Sequence, residues 1–599
     1  MKVALTAAPW PLFNRPSIQV AALKAYIKTK LPEVEVRCFH PYLKCAQAIG
    51  FASYHAISQS SFASEAVGAA LLFPEMFNNC EKIFTRNLAK RGTQKISFQA
   101  TTKRLKETLL KFIKEVNWND YQAVGFTVCL NQLTTSLWLA KEIKKINPAC
   151  KVILGGSSCS GRLGRSLLDN FDFIDYVING EGEKPLASLL THLNGNTPKI
   201  GEKTGILTKG SNPAFDNVKN QIKDINSLPI PDFDDYFSEL AGLDPQNRFF
   251  PELPIEFSRG CWWRRCTFCN LNLQWENYRQ KTHKRMAQEI DHLAQRYGVL
   301  DFAFMDNALP KAKAPQLFKL LSKHERDYHF FAEIRAAHTR KEMAHMSRSG
   351  LKEVQVGIEA LSTSLLKRLS KGTKAFDNIA AMRHALEAGI SLQGNLILHF
   401  PGSTEEEVAE TLANIEYVWP FQPLKTVSFW LGYGSPVQQD HKKFKISGIK
   451  PHHYFADLFP KGFSQNMVPM VLEYRGDKKR QQQLWKAVET KVHHWQREWE
   501  KLIKERPLLS YRDGGNFMII RQVLPGGRTL YHRLTGASKA LYLLAADACV
   551  FQDLEAAAPK FSPEQIRAFV HQMVEKKLMF CEGQRIISLA VKDHRNRNI

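Results

Sequence analysis

Ser258-Arg259-Gly260-Cys261-Trp262-Trp263-Arg264-Arg265-Cys266-Thr267-Phe268-Cys269 puts three cysteines into nine residues, spaced Cys-x4-Cys-x2-Cys. The short apolar run at 255–258 reads as a strand, so the cysteines occupy a loop at a strand end. Three thiolates on one loop suit an iron–sulfur cluster with one iron left open to a ligand. A closed electron-transfer cluster takes four cysteines. The competing reading is a structural zinc site, which wants a fourth ligand at similar spacing. His283 is the only nearby candidate, and no second cysteine pair follows.

Downstream, strand-like runs at 302–305, 330–334, 353–357, 392–398 and 426–431 alternate with helical spacings. With 255–258 they make six, which predicts a full or partial parallel barrel. Polar groups recur where these strands end, the rim at which barrel sites form. Asp306 follows the first run in Met305-Asp306-Asn307. Glu333 and Arg335 close the second in Phe331-Ala332-Glu333-Ile334-Arg335. Gln355-Val356-Gly357-Ile358-Glu359-Ala360-Leu361-Ser362 closes the third, with Lys371-Gly372-Thr373 after it. Asn395 stands in Gly394-Asn395-Leu396-Ile397-Leu398-His399-Phe400-Pro401-Gly402. The competing reading of Glu359 is a partly buried carboxylate with a basic partner. For Arg335 it is the same pairing seen from the other side.

Upstream, runs at 2–6, 123–128, 151–154 and 173–178 alternate with helical patterns at 16–30 and 134–146, which predicts a doubly wound parallel sheet. Residues 40–100 form a helical insertion whose elements the pattern does not separate. Two strand ends carry glycines: Gly155-Gly156-Ser157 and Gly180-Glu181-Gly182. Glycine there lets backbone approach a large ligand. An ordinary tight turn is the competing reading.

The expected division is 1–222, a doubly wound domain; 223–245, a linker broken by Pro229 and Pro231; and 246–440, the barrel. A basic helical region, 441–510, carries 15 Lys and Arg against 7 Asp and Glu. Within it Val488, Val492, Trp495, Trp499 and Leu502 repeat at helical spacing. At 511–599, two helices and a hairpin suggest an α+β winged-helix-like end. Overall the chain is α/β.

Composition bounds the rest. The chain has 599 residues, 44% hydrophobic and 23% charged, which excludes composition-driven disorder. No run approaches the roughly 20 apolar residues of a membrane span, and the start lacks a signal-peptide pattern. A cytoplasmic protein without a membrane partner is expected. The net charge is +24, which bears on partners and not on fold. Eleven cysteines, an odd number in a large chain, argue for reduced thiols or a metal site.

The cysteine loop and the motifs that follow it in order resemble the cobalamin-dependent radical S-adenosylmethionine (SAM) enzymes. That family's usual spacing is Cys-x3-Cys-x2-Cys with an aromatic residue before the last cysteine; Phe268 matches it, and the first gap is one residue longer here. The bacteriocin-type maturases of ribosomal peptides are more similar still, through Gly260-Cys261-Trp262-Trp263 and Cys266-Thr267-Phe268-Cys269. The tail segments at 434–436, 509–515 and 586–591 are also similar to theirs.

The resemblance implies a 4Fe-4S cluster on Cys261, Cys266 and Cys269. It implies SAM near Phe268, Asp306, Glu333, Arg335, Gly357, Glu359, Ser362 and Asn395. It implies cobalamin over Gly155, Gly156, Ser157, Gly180 and Glu181. Cobalamin folds of another type carry Asp-x-His-x-x-Gly after their first strand. The corresponding loop here, Pro9-Trp10-Pro11-Leu12-Phe13-Asn14-Arg15-Pro16-Ser17, has no histidine. The expected reaction is hydrogen abstraction by a SAM-derived radical and methylation of the same carbon, on a ribosomal precursor peptide. A flavodoxin or ferredoxin would supply electrons. The alternatives are an RNA-modifying, methylthiotransferase-like enzyme and non-methylating radical chemistry on a small molecule. Nucleic acid is the less favoured partner.

Overall fold

The computed structural model describes residues 1–89, 95–195, 204–210, 220–503 and 506–593; the last six residues of the 511–599 segment lie outside them. Two six-stranded sheets organise the chain. The first contains β1 (Lys2–Thr6), β2 (Glu35–Phe39), β3 (Ala123–Thr127), β4 (Lys151–Gly155), β5 (Tyr176–Ile178) and β6 (Ile206–Leu207), in the order β2-β1-β3-β4-β5-β6. All neighbours are parallel except β5 and β6. Its central strands are buried on both faces, which is why they read as unbroken apolar runs. The order reverses between β1 and β3, the switch point at which doubly wound sheets place ligands beyond the strand ends.

The second sheet contains β7 (Leu253–Ile255). After the cysteine hairpin β8 (Ser258–Arg259) and β9 (Arg279–Gln280), it continues through β10 (Asp301–Phe304), β11 (His329–Ile334), β12 (Leu351–Glu359), β13 (Ser391–Leu398) and β14 (Lys425–Ser428). The order β7-β10-β11-β12-β13-β14 is sequential and wholly parallel, a partial barrel. The run expected as one strand at 255–258 splits in two. β7 belongs to the barrel, whereas β8 pairs antiparallel with β9 and closes the loop that holds all three cysteines.

Three sequence expectations need correction. The 223–245 linker contains a helix, Asp234–Ala241. That helix is tied to the first sheet, where Asp235 accepts from Lys24 (2.6 Å) and from the Cys38 N–H (2.7 Å), and to the barrel, where Asp234 meets Arg296 (2.6 Å). It is a brace, because its acids satisfy groups on both sides. Region 441–510 is not all helical: its strands β16 (Gly448–Pro451) and β17 (Val471–Arg475) form a small antiparallel sheet with the preceding β15 (Leu431–Gly432), before one 25-residue helix, Lys478–Leu502. That helix buries Trp485, Val488, Val492 and Trp495, with the Trp495 indole donating to the Trp419 carbonyl (3.0 Å).

The third correction is at the C-terminus, which has three helices, Gly536–Leu544, Phe551–Ala557 and Pro563–Glu575, where two were expected. Two sheets flank them. One contains β18 (Leu509–Asp513), β19 (Phe517–Val523) and β20 (Thr529–Thr535). The other contains β21 (Cys549–Val550), β22 (Met579–Glu582) and β23 (Arg585–Ser588). Finally β24 (Val591–Lys592) pairs parallel with β18. The C-terminal helices share one hydrophobic core with the barrel. Among the described residues the insertion resolves into five α-helices between Tyr42 and Glu115, which cover one face of the first sheet together with Tyr454, Phe455, Leu458 and Phe459. Among the described residues no helix is long and apolar enough to cross a membrane.

Candidate active site

The cysteine loop is fastened to the barrel rim by its own backbone. Thr267 donates to the Leu369 carbonyl (3.0 Å), Val437 donates to the Thr267 carbonyl (2.9 Å), and the Trp263 indole donates to the Ser370 carbonyl (2.8 Å). Gly372, at φ +73°, leaves room for the Trp263 ring; a Cβ there would collide with it. All three thiols are partly buried and free of disulfides. Burial pushes the Cys269 thiol up to about 11 and raises Cys266, while Lys371 and Arg335 pull Cys266 back. Each would repel the others as thiolates, so the set calls for a cation, which reverses that logic. Three thiolates on one loop suit a cluster that leaves one iron open, whereas a structural zinc takes four ligands.

Charged groups cluster behind the loop. Lys371 bonds Glu359 (2.9 Å), and its ammonium stands 5.9 Å from the Phe268 ring. Gly357 makes room for that ammonium, since a Cβ would lie 2.5 Å from Nζ. The basic partner expected for Glu359 under the competing reading is therefore present. For Arg335 no such pairing is found among the described residues: the guanidinium donates to the Lys371 carbonyl and lies over Trp262 (5.2 Å) and Trp263 (4.8 Å). Glu333 shares this neighbourhood. Burial and the charge of Glu359 push it up to about 7, against Lys371 and Arg15. Strand alternation sets the half-buried Gln393 and Asn395 on one face of β13, opposite its buried residues.

Two expected site residues are committed elsewhere. The Ser362 hydroxyl donates to Glu410 (2.7 Å) and accepts the Leu365 N–H (3.1 Å) as a helix cap, and Ser362 is fully buried. Its single proton is spent on Glu410, which also takes the Ser364 hydroxyl proton (2.9 Å), so Ser362 has no donor left for a ligand. Asp306 is buried, accepts from the Ser258 hydroxyl (2.5 Å) and the Phe257 N–H (3.1 Å), and is pushed up to about 7 by burial. It pins the chain that leads into the cysteine loop.

Between the two sheets lies a cavity of about 300 Å³, half open to solvent. One wall is the glycine-bearing strand ends of the first sheet: Gly155, Gly156, Ser157, Gly180 and Glu181 all line it. The other wall is Glu256, Arg259, Trp275, Met305 and Asn307, from the barrel side. A Cβ at Gly155 would meet Ile178 at 3.8 Å, an ordinary van der Waals contact, so a side chain there is tolerated. Gly156 is required for a different reason: a Cβ would sit 2.7 Å from the Val128 carbonyl oxygen. No histidine is among the described residues lining the cavity. In the 9–17 loop, Trp10 is buried against Tyr54 (4.8 Å), and Arg15 crosses to Glu252 (2.5 Å) and the Phe331 ring (5.0 Å).

Sequence reading missed the clamp beneath this cavity. Arg259, two residues before Cys261, reaches Glu181 (3.1 Å), Glu183 (2.6 Å) and Glu256 (2.9 Å). Arg279 also pairs with Glu181, whose carboxylate accepts the Ile222 N–H (2.9 Å). Glu181 therefore joins the cavity wall to the cysteine hairpin. The acids were visible in Gly180-Glu181-Gly182-Glu183, but nothing in the sequence paired them with an arginine more than seventy residues away.

A model of the radical SAM superfamily matches residues 255–415. An uncharacterized methyltransferase of Pyrococcus horikoshii is 27% identical over 317 residues, covering 51% of this chain and 65% of that protein. The hopanoid C-3 methylase of Methylococcus capsulatus is 26% identical over 304 residues, covering 49% and 56%. The chain thus spans between half and two thirds of the length of these relatives. Among solved structures, the cobalamin-dependent radical SAM enzyme OxsB, with aqua-cobalamin and SAM bound, superposes with a TM-score of 0.55 at 16% identity, covering 82% of this chain and 66% of that one. The radical SAM methyltransferase TsrM from Kitasatospora setae, with cobalamin and a [4Fe-4S] cluster, gives 0.50 at 14% identity, covering 75% and 80%. The chain carries a radical SAM domain, and its α/β fold is that of the solved cobalamin-dependent radical SAM enzymes.

Proposed function

We propose that this protein is a radical SAM methyltransferase that uses a 4Fe-4S cluster, SAM and cobalamin to methylate an unactivated carbon of a ribosomally made precursor peptide. The observation that carries the reading is the cavity shared by the two sheets, which opens a ligand site on the first sheet toward the barrel rim, close behind the cysteine loop. Cys261, Cys266 and Cys269 would hold the cluster. Glu333, Glu359, Asn395 and Phe268 would contact SAM. Gly155, Ser157, Gly180 and the Arg259 clamp would hold cobalamin. When bound, these groups supply a radical that removes hydrogen from carbon and a methyl group to replace it.

The chain's own residues position and shield. Trp262 and Trp263 cover one side of the cysteine loop, and the Lys371–Glu359 pair fixes the rim. Met305 and Trp430, 46% and 52% exposed, stand beyond the strand ends β10 and β14. They offer an apolar edge to a substrate side chain. The charge of +24 favours a peptide with an acidic leader through long-range steering. The test incubates the anaerobically reconstituted protein with methyl-deuterated SAM and the short acidic peptides encoded near its gene, and reads peptide mass. Label on a peptide carbon is the expected result. Label on RNA, or SAM cleavage with every peptide unlabelled, would contradict it.

A further inference from the structure

Arg335 is a buried cation with no anionic partner among the described residues. It is 6% exposed, and Glu359, the acid on the same rim, gives its carboxylate to Lys371 (2.9 Å). A guanidinium does not lose its proton in a protein, and a buried charge without a counter-charge is costly. Yet the side chain is held firmly. It lies over Trp262 and Trp263, in the cysteine loop, at 5.2 and 4.8 Å and donates to the Lys371 carbonyl. Trp263 is itself fixed by its bond to the Ser370 carbonyl (2.8 Å) and by the space at Gly372. A positive charge held against the tryptophans of the cysteine loop has its missing partner in whatever those thiolates bind.

We infer that Arg335 is the counter-charge of the iron–sulfur cluster, a positioning residue that donates to the Cys266 sulfur and sets how readily the cluster takes an electron. The inference rests on the cluster reading of Cys261, Cys266 and Cys269. Three thiolates around a 4Fe-4S core of charge +2 give a net charge of −1. One electron from a chemical reductant such as dithionite makes it −2, with no bond formed or broken. A fixed cation favours the more negative state, so it raises the reduction potential. Hydrogen bonds to the sulfurs and exclusion of water are the protein's levers on such clusters, and Arg335 with its two tryptophans would supply both.

The test is a redox titration of the full chain, reconstituted with iron and sulfide, followed by electron paramagnetic resonance in the absence of SAM. Arg335→Gln should move the midpoint down by about 59 mV, a tenfold loss of reduced cluster at fixed potential for one electron. Arg335→Lys should recover most of that shift. Trp262→Leu, which loosens the stack but keeps the charge, should move it in the same direction by less, and carries the test should Arg335→Gln fail to retain iron. Unchanged midpoints in iron-loaded variants would overturn the inference. So would a shift seen only when SAM is added, because Arg335 would then serve the SAM carboxylate. Wild-type protein that takes up no iron would sink the cluster reading itself.

Discussion

Gly372 combines two demands that only glycine meets. Its φ is +73°, and a Cβ would run into the indole of Trp263. That indole anchors the cysteine loop to the rim and backs Arg335. Gly372→Ala is expected to cost about 1–3 kcal/mol through strain and overpacking and to lower the iron retained after reconstitution. Urea denaturation and iron assay would check this, and wild-type values in both would contradict it. The sequence showed the cysteines plainly because their ligand geometry is encoded in nine consecutive residues. It showed Lys371-Gly372-Thr373 only as a motif at the right interval. The contacts of Ser362 and Asp306 were illegible, because Glu410 and Ser258 are brought to them by the fold and not by local spacing.

Helix Leu133–Ile146 begins on a carboxylate from another helix. Glu65, within Ser61–Leu72, accepts from the N–H groups of Leu133 and Thr134 (2.9 and 2.8 Å) and from the Thr134 hydroxyl (2.6 Å). Burial nevertheless pushes its carboxyl up to about 7, against about 4.3 in an unfolded chain. The native state therefore holds this proton more tightly than the unfolded state. That contribution is fully present below about pH 4 and is lost as pH rises through about 7. At about 1.4 kcal/mol per pH unit, wild-type protein should lose about 2–3 kcal/mol more than Glu65→Gln between pH 4.5 and 8, by urea denaturation. Parallel pH profiles of the two proteins would contradict this.

The same pair of helices explains what sequence patterning missed in the insertion. Ser61–Leu72 buries nine of its twelve residues, so it has no polar face to mark its period. The barrel strands were legible because half-buried and buried residues alternate along β11, β12 and β13. The strands β16 and β17 were not, being short and set in a basic stretch.

Across the whole molecule, a doubly wound sheet and a partial barrel meet over one cavity, and buried ion pairs hold them there. Arg259 is 6% exposed at its side chain and Glu181 is fully buried. Removing one partner from such a pair costs about 3–5 kcal/mol, so this joint is fixed in position. The order of the two halves was readable from strand ends and motifs in sequence. Their joint was not, because it depends on pairs formed across the fold. The central claim is that the shared cavity holds cobalamin beside a cluster on the cysteine loop. The most direct measurement is iron and cobalt content after anaerobic reconstitution with iron, sulfide and hydroxocobalamin, on desalted wild-type and Gly155→Phe protein. The substituted side chain's Cβ would meet Ile178 at an ordinary contact distance of 3.8 Å, and its ring would enter the cavity that Gly155 lines. The account predicts about four irons and about one cobalt per wild-type chain, with cobalt lost and iron kept in Gly155→Phe. Iron without cobalt in the wild type, or cobalt undiminished in Gly155→Phe, would contradict it.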